Sequence, residues 1–135
     1  MAENIRLEVV TPEKTVISEE AQIVASPGTL GEFGVLRGHT PFMTTLKTGT
    51  IRFTDAQGTE RFIFVSGGFA EALPDKVTVL AESAERQGDI DLERAQAARE
   101  RAEKRLAQDR TADIDFVRAK AALERALQRL NLAQA

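Results

Sequence analysis

The residues with the clearest chemical use are charged side chains in the C-terminal third of the chain. Asp91 and Arg94 are three positions apart, which makes them neighbours on a helix, and Arg101 follows two turns later. Arg125 and Arg129 lie one turn apart further along. Two helices folded together would bring one carboxylate and several arginines to a nucleotide, with a small alanine leaving space for a flat base. Solvated ion pairs on the helix surfaces are the alternative interpretation.

No residue pattern indicates catalysis. His39 is the only histidine, cysteine is absent, and most acidic residues fall on predicted helix surfaces, where charge pairing explains them. No residues have the spacing of metal ligands. Gly28, Gly31 and Gly34 superficially resemble a phosphate loop, but no Gly-Lys-Ser/Thr follows them. We interpret them as turn glycines and His39 as a structural or docking residue, and we expect neither enzymatic activity nor a metal site.

Composition narrows the range of partners. A hydrophobic content of 42% and a charged content of 29% are typical of a folded, soluble protein. The net charge of −3 predicts no binding to nucleic acid, which requires a concentrated basic face. No apolar run approaches the roughly 20 residues that span a bilayer, and the first residues lack a signal pattern. We therefore expect no insertion into a membrane.

The chain changes character near Gln87 and Gly88. Before this point, Val, Ile, Thr and Phe alternate with polar residues between turns that contain Gly or Pro, and after it neither Gly nor Pro occurs. About eight to ten short strands are predicted, with Lys47-Thr48-Gly49 as a hairpin turn and Gly67-Gly68 between two strands. The predicted fold class is α+β, with an antiparallel β-sandwich over residues 1–86 and an antiparallel two-helix hairpin over residues 87–135.

The apolar faces of the two predicted helices consist largely of alanine. The first helix has Asp89 as its predicted N-cap, and one face carries Ala95, Ala98, Ala102 and Leu106. After a connection at 108–112, the second helix has Asp113 or Asp115 as its cap and an apolar face formed by Phe116, Ala119, Leu123, Ala126, Leu127 and Leu130. Because alanine buries little area, at ~25 cal/mol per Å², the seam is weak and an extended state lies within a few kcal/mol.

The second helix is locally basic. Beyond Phe116, a single acidic residue, Glu124, accompanies four cations, which are Arg118, Lys120, Arg125 and Arg129. A surface of this kind is attracted to an acidic partner, since opposite potentials speed the encounter and fix its orientation.

Several separated motifs identify a family by their order along the chain. They are Val9-Val10-Thr11-Pro12-Glu13, Gly31-Glu32-Phe33-Gly34-Val35-Leu36 with Gly38-His39-Thr40-Pro41, Gly67-Gly68-Phe69-Ala70-Glu71, and Asp89-Ile90-Asp91-Leu92-Glu93-Arg94-Ala95. Over essentially its whole length, the chain resembles the epsilon subunits of bacterial rotary F-type ATP synthases. The resemblance implies a β-sandwich followed by a helical hairpin, in agreement with the pattern of the residues.

The resemblance also implies a function. Such subunits belong to the rotor of a proton-translocating ATP synthase, catalyse nothing alone and require no cofactor. Their sandwich binds the gamma subunit and the c ring, and their helices extend to the alpha/beta catalytic head and block ATP hydrolysis, with ATP as a regulatory ligand in some members. The implied location is peripheral, on the cytoplasmic face of the bacterial plasma membrane.

The resemblance assigns roles to individual residues. The c-ring contact corresponds to Glu32, Gly34 and His39. The family's nucleotide motif, Ile/Leu-Asp-x-x-Arg-Ala, is filled by Ile90, Asp91, Arg94 and Ala95, and further nucleotide positions of some members match Glu85, Arg101, Arg125 and Arg129. The inhibitory helix carries Arg118, Lys120, Arg125 and Arg129. This chain departs from the family's pattern at Gly88, a flexible residue next to the nucleotide motif.

Two other functions are compatible with the residues alone. A free-standing small-nucleotide sensor would use only the hairpin, and it would leave the loop around Glu32 and His39 without a purpose. A generic β-domain with a helical oligomerisation tail would show leucine-rich heptads, and the alanine-rich seam argues against it.

Overall fold

The computed structural model describes residues 3–108 and 113–135, without the side chains of 113–115. The chain divides into two compact units, Met1–Gln87 and Gly88–Ala135. The first unit contains seven strands, which are β1 (Ile5–Val10), β2 (Thr15–Gly28), β3 (Gly31–Val35), β4 (Phe42–Asp55), β5 (Glu60–Leu73), β6 (Lys76–Ala81) and β7 (Ala84–Arg86). The second contains two helices, α1 (Leu92–Ala107) and α2 (Asp113–Ala133), after a 3-10 turn at Gln87–Asp89.

The sheet of the first unit closes on itself. Strand β1 pairs with both β2 and β6, and the other neighbours follow the order β6-β5-β4-β2, while β3 extends from β2 and β7 pairs with β5. The predicted sandwich followed by two helices is confirmed. One pairing differs from the antiparallel prediction, because β1 and β6 run parallel. A closed ring of five strands cannot alternate direction at every step, so one parallel pair is required.

Alternation along the strands produces the core. Ile5, Leu7 and Val9 of β1 are fully buried, whereas Arg6 and Glu8 between them are only partly covered. The same period of two places further aliphatic side chains and Phe53 inside the closed sheet, at Ile51, Ile63, Val65, Val77 and Val79. Burial of a large aliphatic side chain stabilises a fold by about 1.5–3 kcal/mol, so this core stabilises the first unit independently of the helices.

Three strands are 14 residues long, so the prediction of eight to ten short strands was wrong. Lys47-Thr48-Gly49 is not a turn but lies inside β4, where Gly49 is buried and a Cβ atom would approach Pro27 to 2.8 Å. Gly67 and Gly68 lie inside β5 with positive φ angles of 84° and 109°. These glycines mark close contacts and irregular backbone within long strands rather than chain reversals.

The two helices contact each other through alanine. As predicted, Ala95 and Ala102 of α1 are buried, as are Ala119, Ala126 and Leu130 of α2. The assignment of Leu127 to the apolar face was wrong, since its side chain is 41% exposed, while Leu132 is buried instead. The predicted caps Asp113 and Asp115 and most of the connection lie outside the described side chains and residues.

The N-cap of α1 is Asp91, not the predicted Asp89. The Oδ1 atom of Asp91 accepts a hydrogen bond from the backbone N–H of Arg94 at 3.1 Å, and its backbone is extended, as an N-cap requires. Asp89 belongs to the preceding 3-10 turn. Two aspartates, two residues apart, could each cap the helix. The 3-10 turn includes Asp89, so Asp91 is the one that caps α1.

The β4–β5 turn is organised by one carboxylate. Asp55 is buried and accepts hydrogen bonds from the backbone N–H groups of Gln57 and Thr59, at 3.0 and 2.9 Å, and from Nε of Arg61 at 3.1 Å. The bond from Thr59 is the largest cause that lowers the pKa of Asp55 below its ordinary value of 3.8, and the Arg61 guanidinium adds to it, against the opposing effect of burial.

We expect Gly68→Ala to lower the free energy of unfolding by roughly 2–4 kcal/mol, measured by urea denaturation of the full chain. A Cβ atom at this position would overlap the carbonyl oxygen of Leu80 and lie 2.8 Å from Cα of Ala81, and the φ of 109° disfavours any side chain. Gly31→Ala is the matched control, since Gly31 has a φ of 136° but nothing within 4 Å. An equal loss in both variants would contradict the steric argument.

We expect Asp55→Asn to destabilise the protein most at neutral pH. A lowered pKa in the folded state means that the carboxylate stabilises the fold above its unfolded pKa, and that this contribution is lost as the pH falls through the folded pKa. The difference in free energy of unfolding between wild type and variant should therefore shrink in acid. The control is Asp75→Asn, because the Asp75 carboxylate has no partner among the described residues. The same pH-dependent difference in both variants would contradict this assignment.

Candidate functional site

A cleft of about 500 Å³ opens between the two helices of the second unit. Residues from both α1 and α2 line it, and the described ones are of two types, arginine and alanine. We call it the arginine cleft, and its lining consists of Ala98, Arg101, Ala102, Arg105, Arg118, Ala119, Ala121, Ala122, Arg125 and Arg129. The alanines let the helices approach closely and leave the long arginine side chains to define the walls.

Four of the five cleft arginines have no ion-pair partner among the described residues. Within the part of the chain that the structure describes, Arg101, Arg105, Arg118 and Arg125 form no ion pair, and no carboxylate lines the cleft. Outside the cleft, α1 has an ion pair of the kind common on helix surfaces, in which Nε of Arg99 donates to Oε1 of Glu103, one turn away, at 2.6 Å. Several guanidinium groups around one cavity attract an anion with many oxygen acceptors, because each group offers a planar set of donors.

The structure brings together part of the predicted nucleotide site. Arg101, Arg125 and Arg129 line the arginine cleft, which agrees with the prediction of a site formed by both helices. Arg105 and Arg118 line it as well and were not assigned to the nucleotide site from the sequence. The available signal was their spacing, since Arg105 lies four residues after Arg101, and Arg118 seven residues before Arg125.

The Ile/Leu-Asp-x-x-Arg-Ala motif lies at the start of α1 and does not line the cleft. Asp91 and Arg94 are exposed and connected by the cap hydrogen bond, Ile90 is half-buried, and Ala95 is buried in the helical unit. Glu85 belongs to the first unit, where it lies on β7 opposite Phe64. The motif therefore has a structural explanation in helix capping and packing.

Three of the four cations predicted for the inhibitory helix also line the arginine cleft. These are Arg118, Arg125 and Arg129, whereas Lys120 is exposed and lies outside the lining. An anion in the cleft would thus contact the same guanidinium groups that inhibition is predicted to use.

The predicted c-ring contact residues lie on β3 and in the turn that follows it. Glu32 and Gly34 are exposed on one face of β3, and Oε1 of Glu32 accepts from Nη2 of Arg52 at 3.1 Å. His39 is half-buried in the turn after β3. Its Nδ1 lies 2.6 Å from the carbonyl oxygen of Thr40, and its ring centroid is 4.9 Å from that of Phe42. No contact joins Glu32 to His39 among the described residues.

The outer face of the closed sheet carries an apolar row that the sequence interpretation missed. Val10, Leu80 and Phe69 are successive partners across β1, β6 and β5, and Met43 lies nearby on β4. Leu80, Phe69 and Met43 are 44%, 42% and 64% exposed. We call these four residues the outer apolar row. The sequence contains a signal for this row, because the pairs Val9-Val10 and Val79-Leu80 interrupt the alternation of polar and apolar residues. Such pairs place apolar side chains on both faces of a strand.

Comparison with known proteins decides the family. The description "ATP synthase, Delta/Epsilon chain, beta-sandwich domain" matches residues 4–87, and "ATP synthase, Delta/Epsilon chain, long alpha-helix domain" matches residues 89–134. The chain belongs to the ATP synthase delta/epsilon family. The resemblance to bacterial epsilon subunits is thereby confirmed. None of the described helices is long and apolar enough to cross a membrane.

Relatives in this family are close in sequence. The chain is 68% identical over 106 residues to the ATP synthase epsilon chain of Desulfosudis oleivorans, covering 78% of this chain and 80% of the relative. It is 67% identical over 108 residues to that of Desulforapulum autotrophicum, covering 80% of each.

Solved structures share the fold at lower identity. A chain in the cryo-EM structure of the Euglena gracilis mitochondrial ATP synthase has a TM-score of 0.82 at 23% identity, covering 100% of this chain and 84% of that one. A chain in the Tetrahymena thermophila mitochondrial ATP synthase, central stalk and c-ring, has a TM-score of 0.66 at 9% identity, covering 98% of both.

Proposed function

We propose that this chain is a non-catalytic rotor subunit of a bacterial, proton-translocating F-type ATP synthase, located peripherally on the cytoplasmic face of the plasma membrane. The observation that carries the proposal is the match of both units, in order, to the two domains of one ATP synthase family. The bacterial relatives named ATP synthase epsilon chain support it, since they cover most of this chain at high identity.

The sandwich is the proposed coupling element. The outer apolar row would bind the gamma subunit, because contiguous exposed side chains of this size are typical of the centre of a protein interface. Glu32, Gly34 and His39 would contact the c ring. The closed sheet suits both contacts, since torque must pass through an element that does not deform.

The hairpin is the proposed regulatory element, and ATP is its proposed ligand. A ligand shifts a conformational equilibrium by its differential affinity for the two states. The arginine cleft has walls from both helices, so it exists only while they are together, and bound ATP would favour the closed hairpin. The residues in direct contact would be Arg101, Arg125 and Arg129, while Asp91 would act by capping α1.

Nucleotide binding and inhibition would exclude each other. In the extended state, the basic face of α2 would engage an acidic surface of the alpha/beta catalytic head and block ATP hydrolysis. Three of its four cations line the arginine cleft in the closed hairpin. One set of arginines therefore cannot serve ATP and the catalytic head at the same time.

A free-standing nucleotide sensor is a weaker proposal. It would account for the arginine cleft but would leave the outer apolar row exposed without a partner.

We expect the two sandwich surfaces to be separable by mutation. Phe69→Ser with Leu80→Ser should weaken gamma binding by at least about tenfold, because two interface anchors are removed. Glu32→Ala with His39→Ala should leave gamma affinity unchanged and reduce ATP-driven proton pumping by the assembled enzyme. The measurements are calorimetric titration with gamma and pumping in inverted membrane vesicles.

Each double variant is the control for the other. Arg52→Ala removes the ion-pair partner of Glu32 and keeps the Glu32 carboxylate. Unchanged gamma affinity after loss of Phe69 and Leu80 would contradict the gamma assignment. Normal pumping in the Glu32 and His39 variant would contradict the assignment of the c-ring contact to these residues.

We expect deletion of residues 113–135 to raise the ATP hydrolysis rate of the assembled enzyme several-fold while ATP synthesis continues. The deletion removes the basic helix and leaves the whole sandwich, and hence the proposed torque path, intact. Charge reversal of Arg118, Lys120, Arg125 and Arg129 to Glu should act in the same direction. Hydrolysis is measured in inverted membranes at low and high ATP, and equal rates for wild type and both variants at each concentration would show that α2 is not the brake.

A further inference from the structure

A pocket of about 390 Å³ lies at the end of the closed sheet where β1 begins and β5 turns into β6. We call it the Asp75 pocket, and its lining consists of Glu3, Leu36, Arg37, Gly38, Pro74 and Asp75. Its walls come from the residues before β1, the turn after β3 and the β5–β6 turn. A site made by separate segments depends on how firmly they are held together.

Backbone hydrogen bonds fix the walls of the Asp75 pocket. The N–H of Gly38 donates to the carbonyl oxygen of Pro74 at 2.6 Å, and the N–H of Arg6 donates to the carbonyl oxygen of Asp75 at 3.0 Å. The ring of Pro74 also restricts the backbone of the β5–β6 turn. The pocket is therefore preformed, and a ligand would bind it without first having to order the chain.

The guanidinium group of Arg37, the basic residue of the described lining, is already paired. Its Nε lies 2.7 Å from Oε2 of Glu3, and its Nη1 donates to the carbonyl oxygen of Asn4 at 3.2 Å. Both contacts direct the group toward the residues before β1. Arg37 and Glu3 together therefore add no net charge to the pocket.

The Asp75 carboxylate has no counter-charge among the described residues. Its sequence neighbour Lys76 pairs with Glu8 at 3.7 Å. Arg6, which lies opposite Lys76 on β1, pairs with Glu20 at 3.6 Å. Asp75 is exposed, and two carboxylates with one guanidinium line the pocket, so the net charge of the lining is negative.

The rest of the pocket wall is apolar. Leu36 is 53% exposed, and the ring of Pro74 and the backbone of Gly38 add carbon surface to the lining. An aliphatic stem that ends in a positive charge suits this combination, because its methylene groups pack on the apolar wall while its head group reaches the carboxylate. Lysine and arginine have this form. A small inorganic cation would leave the apolar wall uncovered.

We propose that the Asp75 pocket receives a lysine or arginine side chain of the c ring. The choice of partner follows from position, since Gly38 of the lining is followed directly by His39, which is proposed to contact the c ring. The inference rests on that proposed contact and names its chemistry, a cation held by Asp75 against Leu36. The pocket would fix the orientation of the docked subunit, because a charge-assisted hydrogen bond requires its donor in one place.

The test is titration of isolated c rings with the complex of the full chain and gamma, followed by biolayer interferometry. Asp75→Asn should weaken the affinity by at least about tenfold, because a charge-assisted hydrogen bond is lost. The loss should shrink as sodium chloride is added, since salt screens the attraction. The free energy of unfolding at neutral pH should not change, because Asp75 has no partner among the described residues.

The variant Arg37→Gln reports the sign of the bound charge. It leaves Glu3 without its partner and makes the pocket more negative, so the affinity for the c ring should rise by about two- to threefold. A weaker complex with Arg37→Gln and a tighter one with Asp75→Asn would show that the pocket binds an anionic group, and would overturn the inference.

Glu13→Gln is the matched control for the loss of one negative charge. Glu13 is exposed in the β1–β2 turn, at the opposite end of β1 from the pocket, and its replacement should change the affinity by less than about twofold. Equal losses with Glu13→Gln and Asp75→Asn would show a general attraction to an acidic domain, and would overturn the assignment to the pocket.

The same titration separates this inference from the function on which it rests. Weaker binding with Glu32→Ala plus His39→Ala, but not with Asp75→Asn, would overturn the inference and leave the c-ring contact in place. Unchanged binding in both variants would overturn the c-ring assignment as well. Sedimentation of the full chain alone tests a second copy as the occupant, and self-association that Asp75→Asn abolishes would overturn the inference in favour of that copy.

Discussion

The closed helical hairpin depends on a balance between arginines that repel one another and a seam of small side chains. Among the described residues, Arg101, Arg105, Arg118 and Arg125 of this hairpin form no ion pair. Ala95 and Ala102 of α1 and Ala119 and Ala126 of α2 are buried, and each contributes far less apolar area than a leucine would. Arginines on both helices face the same cleft. Their mutual repulsion opposes closure, and the small apolar area buried between the helices favours closure only weakly. An anion such as the proposed ATP ligand would offset this repulsion and favour the closed hairpin.

The sandwich has the opposite character. Its sheet closes through the pairing of β1 with both β2 and β6, so no long edge of the ring is free to open. Large aliphatic side chains fill the interior, and the side chains that point outward form the surface without contributing to this core. The buried core and the outer apolar row thereby lie on different faces of the same strands. The outer apolar row depends on this separation, because Phe69 and Leu80 can be exposed without weakening the core.

In the proposed mechanism, the same arginines would link regulation to the conformation of the hairpin. Arg118, Arg125 and Arg129 line the cleft only while α2 lies along α1. Release of α2 would remove the cleft and separate the arginines of α2 from those of α1 in one step. No separate signalling path between sites would be required, because the proposed ligand site and the proposed inhibitory surface share Arg125 and Arg129.

Sequence patterns identified the sandwich, the two helices and the family, because these follow from local signals. Alternation with period two predicted the inward positions of Ile5, Leu7 and Val9, and alanines at spacings of three and four predicted the helix seam. Errors occurred where a glycine has more than one use. Gly49 resembles a turn residue in the sequence, but it lies inside β4, where glycine is needed because a side chain would collide with Pro27.

Tertiary structure alone decided which residues come together. Arg105 and Arg118 are 13 positions apart and become walls of one cleft only when the helices pack. Val10, Leu80 and Phe69 form a row through the register of three strands, including the one parallel pair that a five-stranded ring requires. Asp91 and not Asp89 is the N-cap, because the 3-10 turn at Gln87–Asp89 moves the start of α1 two residues along the chain. The sequence determines which elements form, through the period of its apolar residues. Sites made by several elements depend on register and packing, which no local pattern contains.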